Sequence, residues 1–268
     1  MKVGDKTNSG LIIAPDVKAF MLNAQKKSDK KVKKVSVKTY HRNQKMFDLI
    51  TTYPNTYLAT SELQSVIYNT TAFIPPKWRD TTSQIKAIYY QRAIEHMGGK
   101  HALTFNLSAE LTSKAIETTG LQYIRHKIDG ALKRYLERKV EFWLVLESII
   151  KEDRNYRYNK GRPHIHGSLL ITDQEINLVK KALRSINGDT SHVFKRNETR
   201  IKTISDVKSN RGGGDGWAFY ITKHIGYNNL FMPYSSTITK THKVSSIAQK
   251  LYNADRDALI LFWKVNVG

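Results

Sequence analysis

Two histidines one residue apart, His164 and His166, stand in the run PHIHGSLLI, and what they can do depends on the backbone beneath them. In a strand the side chains alternate, so His164, His166 and Ser168 leave one face while Ile165, Leu169 and Ile171 leave the other. In the preceding apolar segment VEFWLVLESII, Val140 to Ile150, the same period gives Trp143, Val145 and Glu147 a common face. If the two segments pair as a long hairpin, Glu147 meets both imidazoles and completes a three-ligand site; in another register the third ligand changes identity. Two imidazoles and a carboxylate with open positions suit a divalent ion that also accepts a phosphate oxygen, and Mn2+ or Mg2+ is the natural assignment. The bland alternative is two polar residues on a wet sheet face; basic Lys160 and Arg162 just upstream favour the metal.

These side chains need a sheet to hold them. HALTFNLS, His101 to Ser108, reads as a short strand, and Leu111 to about Glu137 as mainly helical, with Ile124, Ile128, Leu132 and Leu136 in one stripe that Gly120 and Gly130 weaken. The buried-looking strand from Val140 follows, then the basic stretch KEDRNYRYNKGR, then the histidine strand. Thr172 or Asp173 can cap a helix carrying Val179, Ala182, Leu183 and Ile186, which stops near Asn187 and Gly188. Arg200 to Val207 offers a fourth strand, a glycine-rich loop spans Gly212 to Gly216, and a last distinct helix begins near Trp217 and contains Tyr220 and Lys223. The order implies an α+β fold: a split β-α-β arrangement, ferredoxin-like, with a central antiparallel sheet, helices on one face and the other face free to carry a site.

Ahead of this unit, residues 1–45 read as a lysine-rich extension with few large apolar side chains, either a mobile or surface segment able to lie along phosphates or a solvated tail that only aids solubility. Residues 46–99 read as a helical accessory region that ends at Gly98 and Gly99, residues 100–230 as the central domain, and residues 231–268 as a C-terminal extension packing on it. Across the 268 residues, 44 Lys and Arg against 23 Asp and Glu give a formal charge of +21, so a polyanion is the expected partner. Nucleic acid fits better than a membrane, because no stretch approaches about 18 uninterrupted apolar residues. With no cysteine, any metal must be held by His, carboxylate, amide or water, which suits a reducing cytoplasm.

RPHIHGSLLI, Arg162 to Ile171, resembles the metal-binding motif of the HUH endonucleases, whose name denotes His, hydrophobic, His. WAFYITKHIGY, Trp217 to Tyr227, resembles their tyrosine motif in its replication-initiator form, in which a lysine follows the tyrosine three residues on. HALTFNLS occupies the place of the family's first motif, with Leu103, Thr104, Phe105 and Asn106 standing close to its Phe-Thr-Leu-Thr. The resemblance spans roughly His101 to Tyr227 and does not reach residues 1–100 or those beyond about 230.

The resemblance implies that Tyr220 is a nucleophile that attacks a phosphodiester of single-stranded DNA and forms a 5′-phosphotyrosyl link with a free 3′-hydroxyl. That link stores the energy of the cut bond, so the same site can rejoin the strand. Lys223, one helical turn after Tyr220, shares its face and could neutralise developing phosphate charge or orient the hydroxyl. Tyr227 is the alternative nucleophile, and His224 points elsewhere. Because the tyrosine follows the histidines, the order is that of replication initiators and smaller transposases. No GxxxxGK phosphate loop occurs, so unwinding falls to a separate helicase. The expectation is a metal-dependent nickase that initiates rolling-circle replication of a plasmid, phage or mobile element in the cytoplasm of a bacterial host, acting on origin DNA presented in a hairpin. A transposase or stand-alone nickase of the same chemistry is the alternative, and a non-catalytic nucleic-acid-binding module the alternative outside it. Thr104, Asn106, Lys160, Arg162, Lys195, Arg196, Arg200 and Arg211 are the candidate DNA contacts.

Overall fold

Ser36, Thr82 and Ser108 each accept a hydrogen bond from the backbone N–H three residues ahead, at 3.2, 3.4 and 3.1 Å, and a helix starts after each. The computed structural model describes residues 36–53, 72–147, 150–152, 158–160, 163–188, 199–207, 213–223, 225 and 236–266. In chain order these hold α1 (Val37–Thr52), α2 (Ser83–His96), β1 (His101–Asn106), α3 (Ala109–Glu117), α4 (Leu121–Leu136), β2 (Phe142–Glu147), β3 (Ile150–Glu152) and β4 (Tyr158–Lys160). There follow β5 (His164–Leu169), α5 (Ile176–Ile186), β6 (Thr199–Thr203), α6 (Gly213–Thr222), β7 (Ile238–Lys240) and α7 (His242–Asn266). Short 3-10 turns lie at Trp78–Asp80 and Ile204–Asp206.

The sheet is antiparallel throughout, in the order β6-β1-β5-β2-β7, so the expected α+β architecture holds. β5 lies at its centre. β3 and β4 pair as a separate two-stranded ribbon between β2 and β5. Gly167 in β5 sits directly opposite Leu144, and a β-carbon there would collide with the Trp143 carbonyl, so only glycine lets the two backbones approach.

Each sheet face meets its own apolar layer. Leu103, Phe105, Leu144, Leu146, Ile165 and Leu169 pack against Ile124, Ile128 and Leu132 of α4 and Val179, Ala182 and Leu183 of α5. The opposite face is not free as expected. Trp143 and Val145 are covered by Ile88 and Ala93 of α2, Trp217 and Ala218 of α6, and Val244, Ala248 and Tyr252 of α7. Gln91 fixes α2 on that face: its Oε1 accepts from the Trp143 indole at 3.1 Å and from the Ser168 hydroxyl at 2.6 Å. On that face a cleft remains, lined by His164 and His166 of β5, Ala102, Thr104 and Asn106 of β1, and Arg200 and Lys202 of β6.

The elements differ from those expected in several places. The fourth strand, expected to run to Val207, ends at Thr203, where the chain turns into the 3-10 segment Ile204–Asp206. α1 begins at Val37, inside the stretch expected to be an uncommitted extension, and buries Met46, Leu49 and Ile50. The long helix expected from Leu111 is broken by Gly120, whose φ of 63° falls in the left-handed region that a side chain resists, giving α3 and α4. Thr172 does not cap α5; its N–H and hydroxyl instead donate to the Glu175 carboxylate, at 2.8 and 3.2 Å, and the helix begins at Ile176. Of the loop expected from Gly212 to Gly216, residues 213–216 form the first turn of α6, where Asp215 also meets a favourable helix dipole, and Gly212 lies outside the described residues. After the expected last helix, β7 adds a fifth strand beside β2, and α7 runs for 25 residues across the sheet.

Candidate metal centre

Strand register assembles the cluster. β2 and β5 pair with Val145 opposite His166 and Glu147 opposite His164, so alternation puts the carboxylate and both imidazoles on one face. Glu147 Oε2 lies 2.9 Å from His166 Nε2 and 3.4 Å from His164 Nε2. The two rings stand perpendicular, with centroids 4.6 Å apart. One ligand atom from each of the three residues fits within 4.8 Å of the others, a donor set that can bind a metal ion.

β1 supplies the outer support. It pairs with β5 so that Thr104 faces His166, and the Thr104 hydroxyl is 3.0 Å from His166 Nδ1. With Nδ1 engaged, Nε2 is the nitrogen turned to the carboxylate, and a metal taking Nε2 would leave the Nδ1 proton to be accepted by Thr104. Burial works against a charge on Glu147, but hydrogen bonds from His164 and His166 outweigh it and hold its carboxyl down at about 2. Burial also lowers the His166 imidazole, helped by the nearby charges of His164 and Lys223 and opposed by Glu147. An ionised carboxylate beside a neutral imidazole is the protonation state that a divalent cation requires of its ligands.

The cluster opens on a cleft of about 510 Å³, and α6 forms the wall above it. Tyr220, 43% exposed, lines this cleft together with His164 and His166. Between them stands Trp217, stacked on the Tyr220 ring at 6.1 Å and set edge-on to His166 at 5.5 Å. Its indole N–H donates to the Gly167 carbonyl at 3.2 Å, tying α6 to the histidine strand. Lys223 Nζ lies 4.0 Å from the centre of the Tyr220 ring, so the expected one-turn pairing of the two side chains is present.

A buried ion network fixes the start of α6. Arg92 of α2, 1% exposed, donates to both Asp215 oxygens, with Nη2 at 2.6 Å and Nε at 3.0 Å, and through Nη1 to Asp255 of α7 at 3.2 Å. The Tyr89 hydroxyl donates to the same Asp255 oxygen at 2.7 Å. Burial alone would lower the Arg92 guanidinium, yet the Asp215 charge overrides it and raises it. Thus α2 and α7 together set where the tyrosine helix begins.

Of the expected DNA contacts, Thr104, Asn106 and Arg200 line the cleft, Thr104 doubling as the His166 partner. Lys160 ends β4, opposite Ile150. Arg162, Lys195, Arg196, Arg211, His224 and Tyr227 lie outside the described residues. Trp217, Lys202 and the Arg92 network were not singled out from sequence. Trp217 had one usable signal, its place one turn before Tyr220 on the same helix face. The network had none, because its members are far apart in the chain. No protein-family model, curated protein or solved structure matches the chain.

Proposed function

We propose that the chain is a metal-dependent nickase and strand-joining enzyme of single-stranded DNA, of the HUH endonuclease type, serving the initiation of rolling-circle replication. The observation that supports this is the shared cleft: a Glu-His-His cluster and an accessible tyrosine, joined through Trp217, face the same space. Glu147, His164 and His166 would hold Mn2+ or Mg2+, which when bound polarises the scissile phosphate.

A tyrosine hydroxyl is a weak nucleophile while it keeps its proton, so position matters. Trp217 fixes the plane of the Tyr220 ring, and Lys223 places a positive charge over it. Attack forms the bond from Tyr220 Oη to phosphorus as the bond to the 3′-oxygen breaks; the proton lost by the tyrosine ends on that oxygen, leaving a free 3′-hydroxyl. The number of phosphoester bonds is unchanged, and the reverse step reseals the strand without a nucleotide cofactor.

The test is incubation with single-stranded oligonucleotides tiled across the DNA that carries the gene, with Mn2+, read on a denaturing gel. A covalent protein–DNA adduct is expected, and Tyr220→Phe should abolish it. An adduct that persists in Tyr220→Phe removes the nucleophile assignment, and no cleavage of any tiled strand removes the enzyme.

A further inference from the structure

The cleft has two unlike sides. Thr104 faces His166 across one ladder of β1 and Arg200 across the other, so His166, Thr104 and Arg200 form a row across β5, β1 and β6. The next row along the same face is Ser168, Ala102 and Lys202. The cleft is lined to match: Ala102, Thr104 and Asn106 make a floor of short side chains, the two histidines stand on one bank, and Arg200 and Lys202 on the other. Between these two, Ile201 packs into the opposite core layer, which fixes the neighbouring cations on the cleft side. β6 is an edge strand, so the cationic bank borders solvent.

Two dimensions decide what fits. β5 and β6 are two strand spacings apart, about 10 Å, a separation on the scale of one extended polynucleotide strand. Arg200 and Lys202 are two residues apart on one strand, about 6.8 Å, comparable to the step between successive phosphates of an extended single strand. We infer that the groove over β1 is the track for the substrate, with one DNA strand lying along β1 and Arg200 and Lys202 contacting two successive phosphates, Arg200 level with the metal cluster. This rests on the strand-nicking function proposed above and adds the path and polarity-neutral footing of the strand within the site.

The salt dependence of binding tests it. The full chain would be titrated into a fluorescent single-stranded oligodeoxynucleotide of mixed sequence in metal-free buffer, across a range of NaCl concentrations. Arg200→Gln and Lys202→Gln should each reduce the slope of log Kd against log [NaCl] by about 0.7, and the double variant by about 1.4. Arg200→Lys should keep the slope. Lys133→Gln, on the exposed side of α4 across the sheet, should leave it unchanged. Unaltered Mn2+ affinity in the double variant shows that the centre is still folded. A double variant with the parent's slope overturns the track while leaving nicking intact if the parent binds and cuts the strand. A parent that neither binds nor cuts single strands overturns the nicking function itself, and the track with it.

Discussion

His166 uses its two ring nitrogens for different partners, and that division makes the cluster testable. Nε2 faces Glu147 and Nδ1 meets the Thr104 hydroxyl. Thr104→Val keeps the shape of the side chain and removes the oxygen, so Mn2+ affinity measured by calorimetry should fall about 10- to 100-fold, while Thr104→Ser keeps it. The histidines were legible in the sequence because strand alternation is a local rule, and Glu147 followed once β2 and β5 were paired. The role of Thr104 was not, because it depends on which residue of β1 lies opposite His166, a register set by the whole sheet.

At the scale of elements, α6 carries the tyrosine, and its first turn is held by a buried charge pair with Arg92. Asp215→Ala would leave a buried guanidinium short of its main partner, and urea denaturation should show a loss of about 3–5 kcal/mol. Adding Arg92→Ala should cost much less than it does alone, because the residues act as one unit. Helix α7 had a readable pattern: residues 244, 248, 252, 255, 259 and 263 are buried and recur at helical spacing. Asp255 in that stripe, with cations before and after it, disguised the face as a polar one. The start of α6 was hidden for another reason. Four glycines among residues 212–216 argue for a loop, and the tertiary pairing of Asp215 with Arg92 holds that turn in the helix.

For the molecule as a whole, the cluster bridges the two central strands, so its ligands converge only in the folded chain. Mn2+ at about 100 times its Kd should therefore stabilise the fold by about 2.7 kcal/mol, seen as a rise in thermal midpoint that His166→Ala abolishes. An unchanged midpoint at saturating Mn2+ would mean that the three side chains hold no ion. The strong positive charge points to a polyanion without saying where one would bind, since charge is a property of the sum. The sheet locates two of those cations, Arg200 and Lys202 of its edge strand, on the cleft that His164 and His166 also line.

The Arg92 network also determines how this protein could be engineered. Arg92 and Asp255 fall on either side of the segment from His101 to Tyr227 that carries the histidine and tyrosine motifs. Excised as a miniature fusion tag, that segment would leave the Asp215 carboxylate without its guanidinium, and would strip α2, β7 and α7 from the sheet that seats the tyrosine helix. The smallest portable unit cut from this chain that keeps the tyrosine helix seated therefore has to begin ahead of α2 and end after α7.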